Sequence, residues 1–347
     1  MKCTRTLRWF VRGLCGWVLL VAAAARGAER LALAWPTPNT AWAEGRPVGA
    51  ILQDTGTGDP ESGGFGGVRS SGSQFHEGID IKCVARDRRG EPLDSVFAAM
   101  DGVVRYINTV AGDSSYGRYI VLEHPDVTPA VYTLYAHLAR VAPELRIGGR
   151  VARGQTLGTM GHSAGGYSIP KERAHLHFEI GVVVTRNFQG WYDRQRFGSR
   201  NEHGIWNGMN LMGLDPLAVF NDWRAHRIST VQDCFARMET VVRLRVATMR
   251  VPDFVQRYPS LLTKPRPLGP VGGWEIRFNW SGIPFAWTPL TAAEVAGLAV
   301  ERPQIVEVNS AVERRERSKS LAVAHRGGGW STGRDLEIVL EQLFGWK

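Results

Sequence analysis

Three short segments carry histidines at spacings that could assemble one reactive centre: FHEGIDI (75–81), YAHL (135–138) and AHLHFEI (174–180). In HLHFEI a two-residue period sets His175, His177 and Glu179 on one strand face and Leu176, Phe178 and Ile180 on the other. The apolar face has a core to enter, so the histidine face looks into a cleft. The same alternation in GIDIKC separates Asp80 and Lys82 from Ile79, Ile81 and Cys83, and in YTLYAHL it groups Thr133, Tyr135 and His137. Neutral imidazoles and a carboxylate are ligands that zinc favours, and a catalytic zinc takes three protein ligands while leaving one position to water. His76, Asp80 and one histidine of the His-x-His pair can supply that set. Water on such a metal ionises near pH ~7, and the other histidines could then move protons or steady an oxyanion. Each motif alone is commonly incidental; it is their combination that points to a metal. Glu179 reads as supporting the site or facing solvent, and His124, His162, His203, His226 and His325 as structural or surface histidines.

The elements that must position these residues read as short strands. Residues 103–107, 119–123, 131–136 and 175–180 are rich in β-branched and aromatic side chains between glycine-containing turns, which predicts a mainly β, antiparallel domain with a groove over 66–219. Residues 29–65 form a loop-rich N-terminal segment, and residues 186–214, polar and aromatic without a clean period, read as a long functional or lid-like loop. Spacing from Leu217 to Val246 is helix-like, and a smaller mixed α/β C-terminal region of open role is expected over 220–347. Its Trp274, Trp280, Trp287 and Trp330 are expected in a core rather than on a binding face.

The first 28 residues have the layout of a secretory signal peptide: Lys2, Arg5, Arg8 and Arg12 precede an apolar run that is too short for a permanent span. The expected location is therefore the periplasm or cell exterior, with no stable membrane span after cleavage. That removal takes away five basic and no acidic residues, lowering the formal charge from +9 to +4. The remaining mild basicity suits an anionic wall polymer and excludes the dense basic patch of a nucleic-acid binder. Cys83 and Cys234 remain, and are expected as unpaired thiols, with a bridge as the alternative.

From 65 to 180 the chain resembles the lysostaphin-like or LytM-type zinc peptidases of the M23 class. The resemblance rests on FGGVRSSGSQFHEGIDI, AAMDGVV, GRYIVLEH, LYAHL, GGRVARGQTLGTMGHSAGG and AHLHFEI in that order. It implies that His76, Asp80 and His177 hold one zinc ion per chain and that His137 and His175 are the catalytic pair. It also implies an endopeptidase that hydrolyses peptide cross-links of peptidoglycan, with the peptide stems as partner. One departure stands out: YSIPKERA, ending at Ala174, replaces the family's usual Thr-Gly-Pro triplet before HLHFE, which bears on the groove wall. The alternative is a non-catalytic LytM-type wall regulator or binding module, although such relatives are expected to have lost ligands. A non-haem iron oxygenase also uses two histidines and a carboxylate, but has no need of His137 and His175.

Overall fold

The computed structural model describes residues 30–315 and 318–346. The expected signal peptide lies outside the described residues. No helix among the described residues is long and apolar enough to cross a membrane.

The strands are antiparallel. The main sheet runs Leu211–Leu214, His175–Val183, Val131–Ala136, Tyr119–His124, Gly102–Asn108, Arg150–Val151, and Ile79–Lys82 shares the long strand's outer edge with Leu211–Leu214. A three-stranded sheet joins Ser95–Phe97, Thr156–Met160 and Leu138–Val141. A four-stranded sheet orders Pro284–Leu290, Gly273–Phe278, Val242–Ala247 and Gln304–Val308.

Both faces of the main sheet are covered, and the division follows the two-residue period. Leu176, Phe178 and Ile180, with Ile79, Ile81 and Tyr135, enter the large core. Tyr119, Val121, Tyr132, Leu134 and Ala136 pack on the other face with Trp206 and Leu211. His175, His177 and Glu179 share that second face as the strongly polar stretch of the long strand.

Residues 186–214 are not a lid. They form a helix, Phe188–Gln195, two 3₁₀ turns, and the edge strand Leu211–Leu214. Trp206 is buried against the second face and Trp191 donates to Glu341, so aromatic burial ties the segment down. The helical reading of 217–246 also changes. Asp215 caps Pro216–Arg224, and a Thr230–Asp233 capping box opens Val231–Ala236. From Val242 the chain is a strand, because Val242, Leu244 and Val246 are buried in alternation with the more exposed Arg243 and Arg245.

One apolar core runs from Leu31 to Phe344 and includes both Phe178 of the main sheet and Trp274 and Trp287 of the C-terminal sheet. Trp280 and Trp330 are only partly buried against it. Cys83 is buried and Cys234 half-buried, and both are free thiols. Phe220 joins three parts of this core: it meets Trp35 and Trp42 edge to face at 5.1 and 5.2 Å, and Phe178 at 6.3 Å. Phe220→Ala should therefore lower unfolding free energy by about 3–5 kcal/mol, as for other fully buried aromatics. Denaturant unfolding followed by tryptophan fluorescence checks this, and a loss below ~1 kcal/mol would contradict the packing.

Candidate metal centre

Asp80 and His177 face each other in register across Ile79–Lys82 and His175–Val183. His76 ends the short strand Gln74–His76 and arrives from the side. The three residues are buried and each offers one ligand atom to a common point. His76 Nε2 and His177 Nδ1 are 2.9 Å apart, and Asp80 Oδ1 lies 3.2 Å from the first and 3.1 Å from the second. Tetrahedral coordination at 2.0–2.1 Å asks for ligand edges of about 3.3 Å, so the triangle has the right size for zinc.

The outer hydrogen bonds make the case chemical as well as geometric. His76 Nδ1 lies 2.7 Å from the carbonyl oxygen of Gly64, which can only accept. His177 Nε2 lies 2.8 Å from a Glu179 carboxylate oxygen, which is likewise an acceptor. In its neutral form each ring therefore carries its proton outward and turns a lone pair inward. Two nitrogen lone pairs and a carboxylate oxygen converge, an arrangement that can hold a cation. Burial alone would lower the pKa of His177, yet Asp80 and Glu179 together push it up to about 9. A proton meets that demand in part; a divalent ion meets it at all three atoms. Zinc, the ion suited to two imidazoles and one carboxylate, fits this donor set.

Glu179 is fully buried, and its carboxylate receives the hydroxyls of Tyr116 at 2.6 Å and Tyr132 at 2.7 Å besides His177. Burial would raise its pKa, but those three donors hold it below the usual carboxylate range. It thus supports the site and does not face solvent. Neither tyrosine was visible in sequence as part of the centre, because only the pairing of Tyr132 opposite Gly181 brings it over Glu179.

His137 reaches the site by a different route from the expected one. Thr133 and Tyr135 sit on the core face, where Tyr135 meets Phe178 at 5.3 Å, and strict alternation would send His137 there too. The strand ends at Ala136, and His137 takes φ +59°, which turns its ring onto the histidine face. Its ring centroid is then 4.9 Å from that of His175 and 5.9 Å from that of His177. His137 Nδ1 points at Ser163 O at 2.8 Å and His175 Nδ1 at Arg173 O at 2.7 Å, so both rings keep Nε2 free of a proton. Burial is the main reason that His137 sits well below, and His175 below, the ordinary imidazole pKa. Both are neutral near pH 7 and able to accept a proton.

A cavity of about 280 Å³ opens on Asp80, His137 and His175, and is walled by Asp54 and Thr55 on one side and Tyr167 and Arg173 on another. The wall thus comes from the N-terminal segment and from the YSIPKERA stretch, and not from 186–214. Arg69 also lines it; its guanidinium donates to the Asp80 carboxylate and lies 2.9 Å from His76 Nε2. Of the remaining histidines, His124 is buried between Asp101 O and Thr133, and His203 between the Tyr106 hydroxyl and Asp113 O, both as structural groups.

Residues 74–188 match the model of peptidase family M23. None of the curated proteins matches the chain. Among solved structures, the catalytic domain of the prophage-encoded M23 protein EnpA from Enterococcus faecalis is 19% identical, with 38% of this chain and 79% of that one covered and a TM-score of 0.27. A zinc-containing peptidase from Vibrio cholerae is 25% identical, over 38% of this chain and 33% of that one, at a TM-score of 0.27. The catalytic domain of lysostaphin from Staphylococcus simulans is 23% identical, over 34% of this chain and 75% of that one, at a TM-score of 0.25. The match thus spans about a third of the Vibrio cholerae chain.

Glu179→Gln keeps the shape but replaces an acceptor-only group with one that can donate, which loosens the His177 tautomer. Zinc affinity, measured by competition with a chromogenic chelator, should fall 10–100-fold, the usual effect of losing an outer partner.

Proposed function

We propose that this chain, whose residues 74–188 form a domain of peptidase family M23, is an exported zinc endopeptidase that hydrolyses peptide cross-links of peptidoglycan. The observation that carries the reading is the convergence of three inward lone pairs, on His76, Asp80 and His177, beside two neutral histidines at the base of an open cavity. A wall-binding module has no use for that combination; a hydrolase uses all of it.

The assignment of parts follows from the contacts. His76 Nε2, Asp80 Oδ1 and His177 Nδ1 would hold the ion, with Glu179 and the Gly64 carbonyl orienting the rings. Zinc, when bound, supplies a water acidic enough to act as nucleophile near neutral pH and polarises the scissile carbonyl. His137 and His175, held neutral by burial with Nε2 facing in, would accept the proton from that water, and the ring that gains it would become an Nε2–H donor for the oxygen that gains charge. Their Nδ1 protons, fixed on Ser163 O and Arg173 O, keep the two rings from rotating out of line. Cavity walls from 54–55 and 167–173 would bind the peptide on either side of the bond.

Two variants separate metal binding from chemistry. His177→Ala should lose both zinc and cleavage. His137→Ala should keep zinc while kcat falls by about 10²–10⁴, the usual contribution of a general acid or base. Removing the metal with a chelator should abolish activity, and zinc should restore it. Mass spectrometry of muropeptides released from purified peptidoglycan identifies the cleaved bond; no release by zinc-loaded protein would overturn the reading.

A further inference from the structure

Of the three converging residues, His76 is the one that the main sheet does not hold. Asp80 and His177 are fixed by the backbone ladder between their strands. Gln74–His76 instead pairs with Gly66–Arg69 in a two-stranded ribbon outside that sheet. Such a ribbon is marginal by itself. The turn that joins its strands places Ser70 and Ser71 at φ +50° and +58°, a region that non-glycine residues occupy at a cost. The position of His76 must therefore come from packing.

That packing comes from the C-terminal region. Phe65 and Phe75 meet edge to face at 5.3 Å, and Trp280 completes a three-ring cluster 5.6 Å from each. Lys319 Nζ lies 4.3 Å from the centre of the Phe75 ring and 3.4 Å from the carboxylate of Glu77, so it touches the residues on both sides of His76. The approach is close enough to need glycine: a Cβ on Gly66 would stand 2.6 Å from the Trp280 ring, and one on Gly67 would stand 2.5 Å from Ser318 Oγ. On the opposite side, a Cβ on Gly213 would stand 2.0 Å from Glu77 O. The His76 segment is thus held between the edge strand of the main sheet and the C-terminal region.

We infer that the region beyond residue 220 clamps the metal centre, with Trp280 and Lys319 as positioning residues that set the depth of His76. Three aromatic rings in mutual contact resist sliding of the ribbon, and the ammonium pins its end through one ion pair and one cation–π contact. The inference rests on the metal-centre reading above, but not on the identity of the substrate.

The test uses the full chain with Trp280→Ala, Trp280→Phe and Lys319→Met. Zinc affinity is measured by chelator competition, the visible spectrum of the cobalt-substituted protein reports ligand geometry, and thermal unfolding reports the fold. Trp280→Ala should bind zinc 10–100-fold more weakly with an altered cobalt spectrum, as outer-shell losses do. Trp280→Phe should recover most of the loss, and Lys319→Met should weaken binding toward the lower end of that range with an unchanged unfolding temperature. Wild-type affinity and spectrum in folded Trp280→Ala and Lys319→Met overturn the clamp, as does a Trp280→Phe no better than alanine. Should Trp280→Ala fail to fold, Lys319→Met decides alone. Wild-type protein that binds zinc tightly but releases no muropeptide would overturn the peptidoglycan reading and leave the clamp standing.

Discussion

The pairing of Asp80 with His177 across two antiparallel strands is the constraint on which the site depends. A slip of one residue would turn one of them onto the opposite face and leave its lone pairs among Phe178 and Ile81. The register is held because the alternate residues, Ile79, Ile81, Leu176 and Phe178, are fully buried in the core. Apolar burial on one face of the sheet thus fixes polar geometry on the other.

Given that pairing, the centre is an arrangement of acceptors. Gly64 O, Glu179, Ser163 O and Arg173 O each take an outward proton from a histidine, and every ring is left with an inward lone pair. Two of those lone pairs, with Asp80, form a place for a cation; the other two face the cavity. The division of labour among four histidines lies less in the rings themselves than in which nitrogen each ring directs to the protein. Tyr116 and Tyr132 carry the same logic one layer out, by keeping Glu179 ionised where burial would protonate it.

The C-terminal region belongs to this scheme more closely than its lack of catalytic motifs suggests. Its core is continuous with that of the main sheet, and its Trp280 and Lys319 lie against the segment that delivers His76. The one candidate ligand without a place in the main sheet is flanked instead by contacts from the C-terminal region.

Much of this was legible in the primary structure. The two-residue period of HLHFEI and GIDIKC, with its opposed apolar and polar faces, is a local property of strands, and it determined the β character of the domain and the grouping of His175, His177 and Glu179. Other features were decided only by tertiary structure. His137 joins the site because the strand stops at Ala136 and φ turns positive, a break that alternation cannot contain. Residues 186–214 are an anchored helix and edge strand rather than a lid, because Trp206 and Trp191 find partners more than 60 residues away in the chain. The cavity wall, the tyrosines on Glu179 and the grip of Trp280 on Phe75 likewise depend on contacts between distant segments. Period and residue type are carried within a few neighbouring positions, whereas tautomers, wall shape and the depth of His76 are set by atoms that only the folded chain brings together.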